Sequence, residues 1–83
     1  MNQQNVGLRT WIEIDKKAIA KNYRTFRKLI TKQTMFMSVV KSNAYGHNIH
    51  EFAGVMESLG VDWLGVDSLT EALALRRDGV RIP

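Results

Sequence analysis

The sequence predicts an α/β fold in which consecutive βα units place parallel strands side by side. Three observations support this prediction. The segment Met35–Val40 is nearly unbroken apolar sequence, which is typical of a strand covered on both faces, as in parallel sheets. Amphipathic helical patterns lie on both sides of it. The two inner strands begin near Met35 and Asp62, and this spacing of about 27 residues fits one βα unit.

The first part of the chain predicts a strand and then a helix. Trp11–Asp15 alternates apolar and polar residues from Ile12 onward, as in a half-exposed strand. Asp15 can cap a helix that runs to about Thr31. One side of that helix is apolar, at positions with helical spacing: Ile19, Tyr23, Phe26 and Ile30. Residues 1–9 are expected to be a flexible start.

A second helix is predicted after the strand Met35–Val40 and the polar turn Ser42–Asn48. Asn48 and Glu51 have the spacing of an N-cap and the third helical residue, a variant of the capping box. Gly60 lies just after the last apolar residue of the pattern, where a helix commonly ends with a left-handed C-cap. Between them the apolar residues form one helical stripe, which comprises Ile49, Phe52, Val55, Met56 and Leu59.

The last part of the chain predicts a further strand and helix. Trp63–Val66 has the character of a short buried strand. Ser68–Glu71 is a capping box that opens a helix through about Arg77, and Gly79 is its stop signal. Val80–Pro83 predicts the start of another strand.

Composition restricts the class of protein. The chain has 83 residues, a formal net charge of +4 and no cysteine, so it can form neither a disulfide framework nor a thiolate metal site. No ligand pair has metal-binding spacing, and no apolar run approaches the ~20 residues that span a bilayer. The segment Met1–Asn5 is polar and lacks the apolar core of a secretory signal. We therefore expect a cytoplasmic protein without a metal.

The excess positive charge lies between Lys16 and Lys32, a stretch with seven basic residues and no acidic one. Such a stretch can bind nucleic acid or an anionic membrane, or it can be the solvent face of a helix. The spacing of Lys17, Lys21 and Lys28 places them opposite the apolar stripe, and no aromatic residue is interleaved to stack on bases. The solvent-face interpretation is favoured, and we expect neither a nucleic-acid nor a membrane partner.

The predicted sheet is too small to cover both of its faces. A complete (β/α)8 barrel takes about 250 residues, and an open doubly wound sheet also needs more strands than these. We therefore expect an amino-terminal piece of a larger protein. A self-contained mini-domain is the alternative.

Lys41 ends the most apolar stretch of the chain. Burial of an ammonium group there costs free energy, so such a lysine is expected only where the group has a functional role. Desolvation favours the neutral amine, so a lysine at this place is a candidate nucleophile for a Schiff base. A lysine with its stem on the core and its head in water is the alternative. The loop that follows contains Tyr45, whose hydroxyl can reach a phosphate, and His47, which is either an acid or base or a plain turn residue. Asp67 ends the next strand.

The segment Val39–His47 resembles the pyridoxal-phosphate attachment segment of alanine racemases. The flanking segments Thr10–Tyr23 and Ser68–Gly79 resemble the same family, so the likeness extends from about Thr10 to the end of the chain. Ser42 stands where alanine is usual, and Asn48 where glycine is frequent. Asp67 falls where the family tends to have an apolar or small residue, so no role is assigned to it.

The resemblance implies the first βα units of a (β/α)8 TIM-type barrel in an enzyme that interconverts L- and D-alanine through a pyridoxal-phosphate aldimine, the D form feeding peptidoglycan. Lys41 would hold the cofactor and exchange the substrate α-proton on one face, the D-alanine side, and Tyr45 would hydrogen-bond the cofactor phosphate. In that family the opposite-face base is a tyrosine of a partner subunit, and most of the phosphate site comes from later sequence. A homodimeric parent is therefore implied, and the 83 residues alone are expected to be inactive.

Two other classes of function remain open from the sequence. One is another pyridoxal enzyme of fold type III, namely a racemase of a different amino acid or a decarboxylase, or a small cofactor carrier of that barrel class. The decarboxylases generally lack the continuation Ala44–His47. The other is a non-catalytic binding module that uses the basic helix.

Overall fold

The computed structural model of the chain describes residues 13–83. The expected flexible start, residues 1–9, and the first two residues of the predicted strand Trp11–Asp15 lie outside the described residues. The remaining residues, Glu13 to Asp15, are not part of a strand, so this part of the prediction is wrong. Asp15 has an extended backbone (φ −90°, ψ 97°), but it serves as the N-cap of the helix that follows.

Helix α1 spans Lys16–Lys28 and confirms the predicted amphipathic helix. The Asp15 carboxylate accepts a hydrogen bond from the Ala18 N–H at 3.1 Å, which satisfies one of the free donors at the helix start. Of the apolar stripe, Tyr23 is buried and Phe26 remains 59% exposed. The helix ends at Lys28 rather than near Thr31. The basic side opposite the stripe is exposed to solvent at Lys17, Lys21, Arg24 and Lys28.

Strands β1 (Met37–Val39) and β2 (Trp63–Gly65) form a two-stranded parallel sheet, as predicted. Met37 lies opposite Trp63, and Val39 lies opposite Gly65. Hydrogen bonds continue one residue beyond β1, because the Val40 N–H donates to the Gly65 carbonyl at 2.8 Å. The strand is shorter than the predicted Met35–Val40 because the backbone of Val40 (φ −119°, ψ 16°) already leaves the extended conformation.

Helix α3 (Ile49–Leu59) and helix α4 (Leu69–Arg77) follow β1 and β2, and a short helical segment α2 (Lys41–Tyr45) precedes α3. Gly60 ends α3 with φ 100°, which confirms the predicted left-handed C-cap. The Ser68 hydroxyl accepts from the Glu71 N–H at 3.1 Å, which confirms the predicted cap of α4. No described helix has both the length and the apolar character to cross a bilayer.

The predicted strand Val80–Pro83 is not formed as a strand, but it begins to pair with β2. The Leu64 N–H donates to the Pro83 carbonyl at 2.9 Å, on the side of β2 away from β1. Two side chains hold the segment in place. Arg76 donates to the carbonyls of Val80 and Ile82, and Glu57 accepts from the N–H groups of Arg81 and Ile82. One hydrogen bond to β2 is too few for a ladder.

The core lies on one face of the sheet, between the strands and the helices. Val40 and Ala53 are fully buried there, together with Leu75 and Val80. The opposite face is apolar and open: Met37 is 54% exposed, Val39 46% and Trp63 40%. Phe36 and Val40, which flank β1, belong to the core, so the segment Met35–Val40 has apolar residues on both sides of the sheet. The described residues cover only one of those faces.

Candidate functional site

Lys41 lies directly after β1, at the carboxyl end of the parallel strands. This edge is where catalytic side chains collect in βα proteins. The side chain is half-buried, and among residues 13–83 it has no hydrogen-bond or ion-pair partner. Lys41 thus lies at the strand end where the sequence predicts it, and its amine makes no hydrogen bond or ion pair with another described residue.

The segment after Lys41 is a left-handed helical turn, α2. Four consecutive residues that are not glycine have positive φ, from 55° to 57°, namely Ser42, Asn43, Ala44 and Tyr45. L-amino acids disfavour this conformation by about 1–2 kcal/mol per residue, because Cβ approaches the next carbonyl oxygen. Strain of this kind persists only where the surrounding structure determines the backbone, and it concentrates at functional sites.

Three hydrogen bonds connect this left-handed turn to described residues outside the segment 42–47. The Ala44 N–H donates to the Val40 carbonyl at 2.8 Å, and the Ala44 side chain is 3% exposed within the core. The Asn43 side-chain oxygen accepts from the Ile49 N–H at 2.8 Å and so connects the turn to the start of α3. The Asn43 N–H donates to Oε2 of Glu71 at 2.9 Å. The last bond ties the turn to the neighbouring βα unit.

Tyr45 ends the left-handed turn and lies four residues after Lys41. Three residues with left-handed backbone separate Tyr45 from Lys41. Tyr45 is 63% exposed, and its hydroxyl has no partner among the described residues. Gly46 then closes the turn at φ 92°, a conformation that glycine adopts without steric cost. The turn therefore presents an amine and a phenol at one edge of the sheet.

The two other residues singled out by the sequence do not join this arrangement. The His47 ring packs against the Phe52 ring, with centroids 6.2 Å apart. His47 and Phe52 also line a groove of about 520 Å³ between α1 and β1, which neither Lys41 nor Tyr45 lines. Asp67 is exposed beyond the end of β2 and leads into the Ser68 cap, as its sequence position indicates.

Two carboxylates that the sequence does not single out have structural partners far along the chain. Glu71 accepts from the Asn43 N–H, 28 positions earlier. At the opposite end of the sheet, Asp62 accepts from the Phe36 N–H at 2.7 Å and from Arg27 at 3.2 Å. A capping-box pattern marks Glu71 only as a helix start, and no local signal marks Asp62. No group of three possible metal-ligating residues lies together in the described part of the chain.

Comparison with known proteins assigns the family. The sequence-family model named "Alanine racemase, N-terminal domain" matches residues 14–83 of this chain. The alanine racemase of Synechocystis sp. is 40% identical over 75 residues, which are 90% of this chain and 20% of that protein. The crystal structure of a Bacillus anthracis alanine racemase with bound L-Ala-P has a TM-score of 0.84 and 39% identity over 89% of this chain and 19% of its own.

A second solved structure agrees with this assignment. The alanine racemase of Clostridium difficile superposes with a TM-score of 0.90 and 31% identity, over 94% of this chain and 21% of its own. The chain therefore spans about a fifth of the length of the relatives it matches. Its βα units are the first units of a TIM-type barrel, and the chain, through residues 14–83, belongs to the alanine racemase family.

Proposed function

We propose that the protein carrying this chain interconverts L- and D-alanine with pyridoxal 5′-phosphate as cofactor, and that Lys41 is the lysine that binds the cofactor covalently. The supporting observation is a lysine at the carboxyl end of the parallel strands that has no partner among residues 13–83, followed by a left-handed turn that ends at the exposed Tyr45. Relatives that match most of this chain are named alanine racemase.

The residues at this edge fit the cofactor chemically. Pyridoxal phosphate has an aldehyde, an aromatic ring and a phosphate. The Lys41 side chain is half-buried and its amine has no partner among the described residues, so it is available to the aldehyde. The Tyr45 phenol is exposed and can donate to a phosphate oxygen. Val39, two residues before Lys41, is half-exposed and offers an apolar surface to the ring.

Each residue then has a defined task. Bound pyridoxal phosphate supplies an electron sink that makes the α-proton of an amino acid acidic enough to remove. With the cofactor and substrate bound, the Lys41 amine would hold and return that proton on one face, the D-alanine side. Tyr45 orients the phosphate end. Racemisation needs a second group on the opposite face, and family resemblance assigns it to a tyrosine of the partner subunit in a homodimer.

A chimera tests this function in a complete protein. The matching segment of the Bacillus anthracis alanine racemase is replaced by residues 14–83 of this chain, and the product is assayed for racemisation of L-alanine. Activity is expected, with a loss of at least about a thousandfold in Lys41→Ala because the covalent group is gone. Lys17→Ala, on the exposed side of α1, is the matched control and should retain activity. Undiminished activity of the Lys41→Ala chimera would contradict the proposal.

The 83-residue polypeptide by itself should not racemise alanine, because it supplies only one of the two proton-transfer groups. Purified chain with pyridoxal phosphate and L-alanine provides the measurement, and sustained formation of D-alanine would refute this expectation. In the cell we propose a cytoplasmic enzyme whose D-alanine is used for peptidoglycan.

A further inference from the structure

We propose that Glu71 is a positioning residue of the cofactor site: its carboxylate holds the left-handed turn in the geometry that sets Tyr45 relative to Lys41. The effect on the turn follows from the structure alone. The effect on cofactor binding rests on the function proposed above.

The Glu71 side chain takes an unusual direction for its position. It is the third helical residue of a capping box, where the carboxylate ordinarily returns to the backbone N–H of the N-cap residue. Here its backbone N–H donates to the Ser68 hydroxyl, but its Oε2 accepts from the Asn43 N–H at 2.9 Å. Its other oxygen, Oε1, is buried and has no hydrogen-bond partner among the described residues. The carboxylate is therefore used to bridge two βα units rather than to complete its own cap.

This bridge supplies a constraint that the turn cannot provide for itself. The bonds from Ala44 to Val40 and from Ile49 to Asn43 join residues of the first βα unit to one another. Within residues 13–83, the Glu71 bond is the only hydrogen bond that reaches the turn from the second unit. Four consecutive left-handed residues need such external support, because each one favours a right-handed or extended backbone.

Loss of the carboxylate leaves the Asn43 N–H without its partner and allows the turn to relax. Tyr45 lies at the far end of the turn and therefore moves with it. Lys41 follows Val40, whose N–H remains bonded to the Gly65 carbonyl of β2, and is therefore displaced less. The predicted consequence is specific: recognition of the cofactor phosphate weakens, and the intrinsic reactivity of the lysine changes little.

The first test measures the turn itself by NMR on the 83-residue chain. Positive φ brings the amide and α protons of one residue close together, so residues 42–45 should show strong intraresidue amide–α cross-peaks. Glu71→Ala should abolish this signature. Glu71→Gln should preserve it, since the amide oxygen can still accept from Asn43. Ser68→Ala, which removes the cap of the same helix, is the matched control and should also preserve it. A Glu71→Ala chain that keeps the signature overturns the proposal.

The second test uses the full-length chimera and remains decisive if the Glu71→Ala chain does not fold. Affinity is measured for pyridoxal phosphate and for pyridoxal, which lacks the phosphate. Glu71→Ala should lower the preference for the phosphorylated form about tenfold, as Tyr45→Phe does, which corresponds to about 1.4 kcal/mol. Ser68→Ala should leave the preference unchanged.

The outcomes separate this inference from the proposed function. If Tyr45→Phe leaves the preference unchanged, the phosphate contact of Tyr45 is wrong, and the NMR signature alone decides the role of Glu71. If Tyr45→Phe lowers the preference and Glu71→Ala does not, the positioning role is wrong while the proposed function stands. When Tyr45→Phe lowers the preference for pyridoxal phosphate over pyridoxal, a Glu71→Ala variant that melts at a lower temperature but keeps this preference also overturns the positioning role of Glu71.

Discussion

Asp62 joins the start of the sheet to the first helix through two contacts of different strength. Its carboxylate accepts from the Phe36 N–H at 2.7 Å and pairs with Arg27 at 3.2 Å. The ion pair is about a third exposed on both sides, so solvent screens it and its contribution is about 0–1 kcal/mol. The bond to the backbone is stronger, because its loss leaves a part-buried N–H without a partner, at a cost of about 1–3 kcal/mol.

Substitutions at this cluster should therefore have unequal effects. Asp62→Ala is expected to lower the free energy of unfolding by about 2 kcal/mol, and Arg27→Ala by at most about 1 kcal/mol. Asp62→Asn should lie between them because it can still accept from Phe36. Urea unfolding monitored by circular dichroism provides the measurement. Equal losses for Arg27→Ala and Asp62→Ala would show that the ion pair dominates.

Asn48 occupies a position where its backbone conformation favours glycine. Its φ is 72°, and its side chain accepts from the His50 N–H at 3.1 Å as the N-cap of α3. Asparagine tolerates positive φ better than most residues that are not glycine. This explains how an asparagine can occupy this backbone conformation. The predicted N-cap is confirmed, although the Asn48 side-chain oxygen accepts from the N–H of the second helical residue, His50, and not from that of the third.

Asn48→Ala should destabilise the chain by about 1–2 kcal/mol, since it removes the cap and places a β-carbon at positive φ without compensation. Asn48→Gly is the matched control, and its effect should be within about 0.5 kcal/mol of zero because relief of strain offsets the lost cap. Thermal melts of both variants check this. Equal losses in the two variants would assign the whole effect to the side-chain cap.

At the scale of elements, the caps and apolar stripes were predictable because they depend on residues within one helical turn. Asp15, Ser68 and Gly60 each act as the sequence indicates. The left-handed turn was not predictable. Ser42 and Ala44 favour right-handed or extended backbone on their own, and only Asn43 and Gly46 are residue types that tolerate a positive φ. The contacts that impose the turn come from later residues, Glu71 among them, which no local pattern connects to it.

Glycine at an exposed position of this turn should stabilise the chain. Ser42 has φ 55° and an exposed side chain, so Ser42→Gly removes strain and little else. The net gain is expected to be about 0.5–1 kcal/mol, after subtraction of the greater entropy of glycine in the unfolded state. Ala18→Gly in the right-handed helix α1 is the control and should instead cost about 1 kcal/mol. Destabilisation by Ser42→Gly would show that the turn is not left-handed.

At the scale of the whole molecule, the open face of the sheet corresponds to the inside of the barrel. Met37, Val39 and Trp63 remain exposed because the chain spans about a fifth of the relatives it matches. The sequence predicted both this apolar face and the need for more strands to cover it. In a complete TIM-type barrel such inward side chains form a packed core.

A charge on this face should have opposite consequences in the two settings. Val39→Lys should change the stability of the 83-residue chain by at most about 0.5 kcal/mol, because the side chain is 46% exposed. In the chimera the same substitution buries an unpaired charge and should cost about 3 kcal/mol or more. Denaturant unfolding of both proteins makes the comparison. A tolerated Val39→Lys in the chimera would contradict the assignment of this face to the barrel interior.

The most direct test of the proposed function is the site of covalent cofactor attachment. The protein is loaded with pyridoxal phosphate and reduced with borohydride, and its peptides are mapped by mass spectrometry. The chain has six lysines, and five of them lie between Lys16 and Lys32. The adduct is expected on Lys41, with little on the exposed lysines of α1. A predominant adduct on Lys17 or any other lysine would contradict the account of this site.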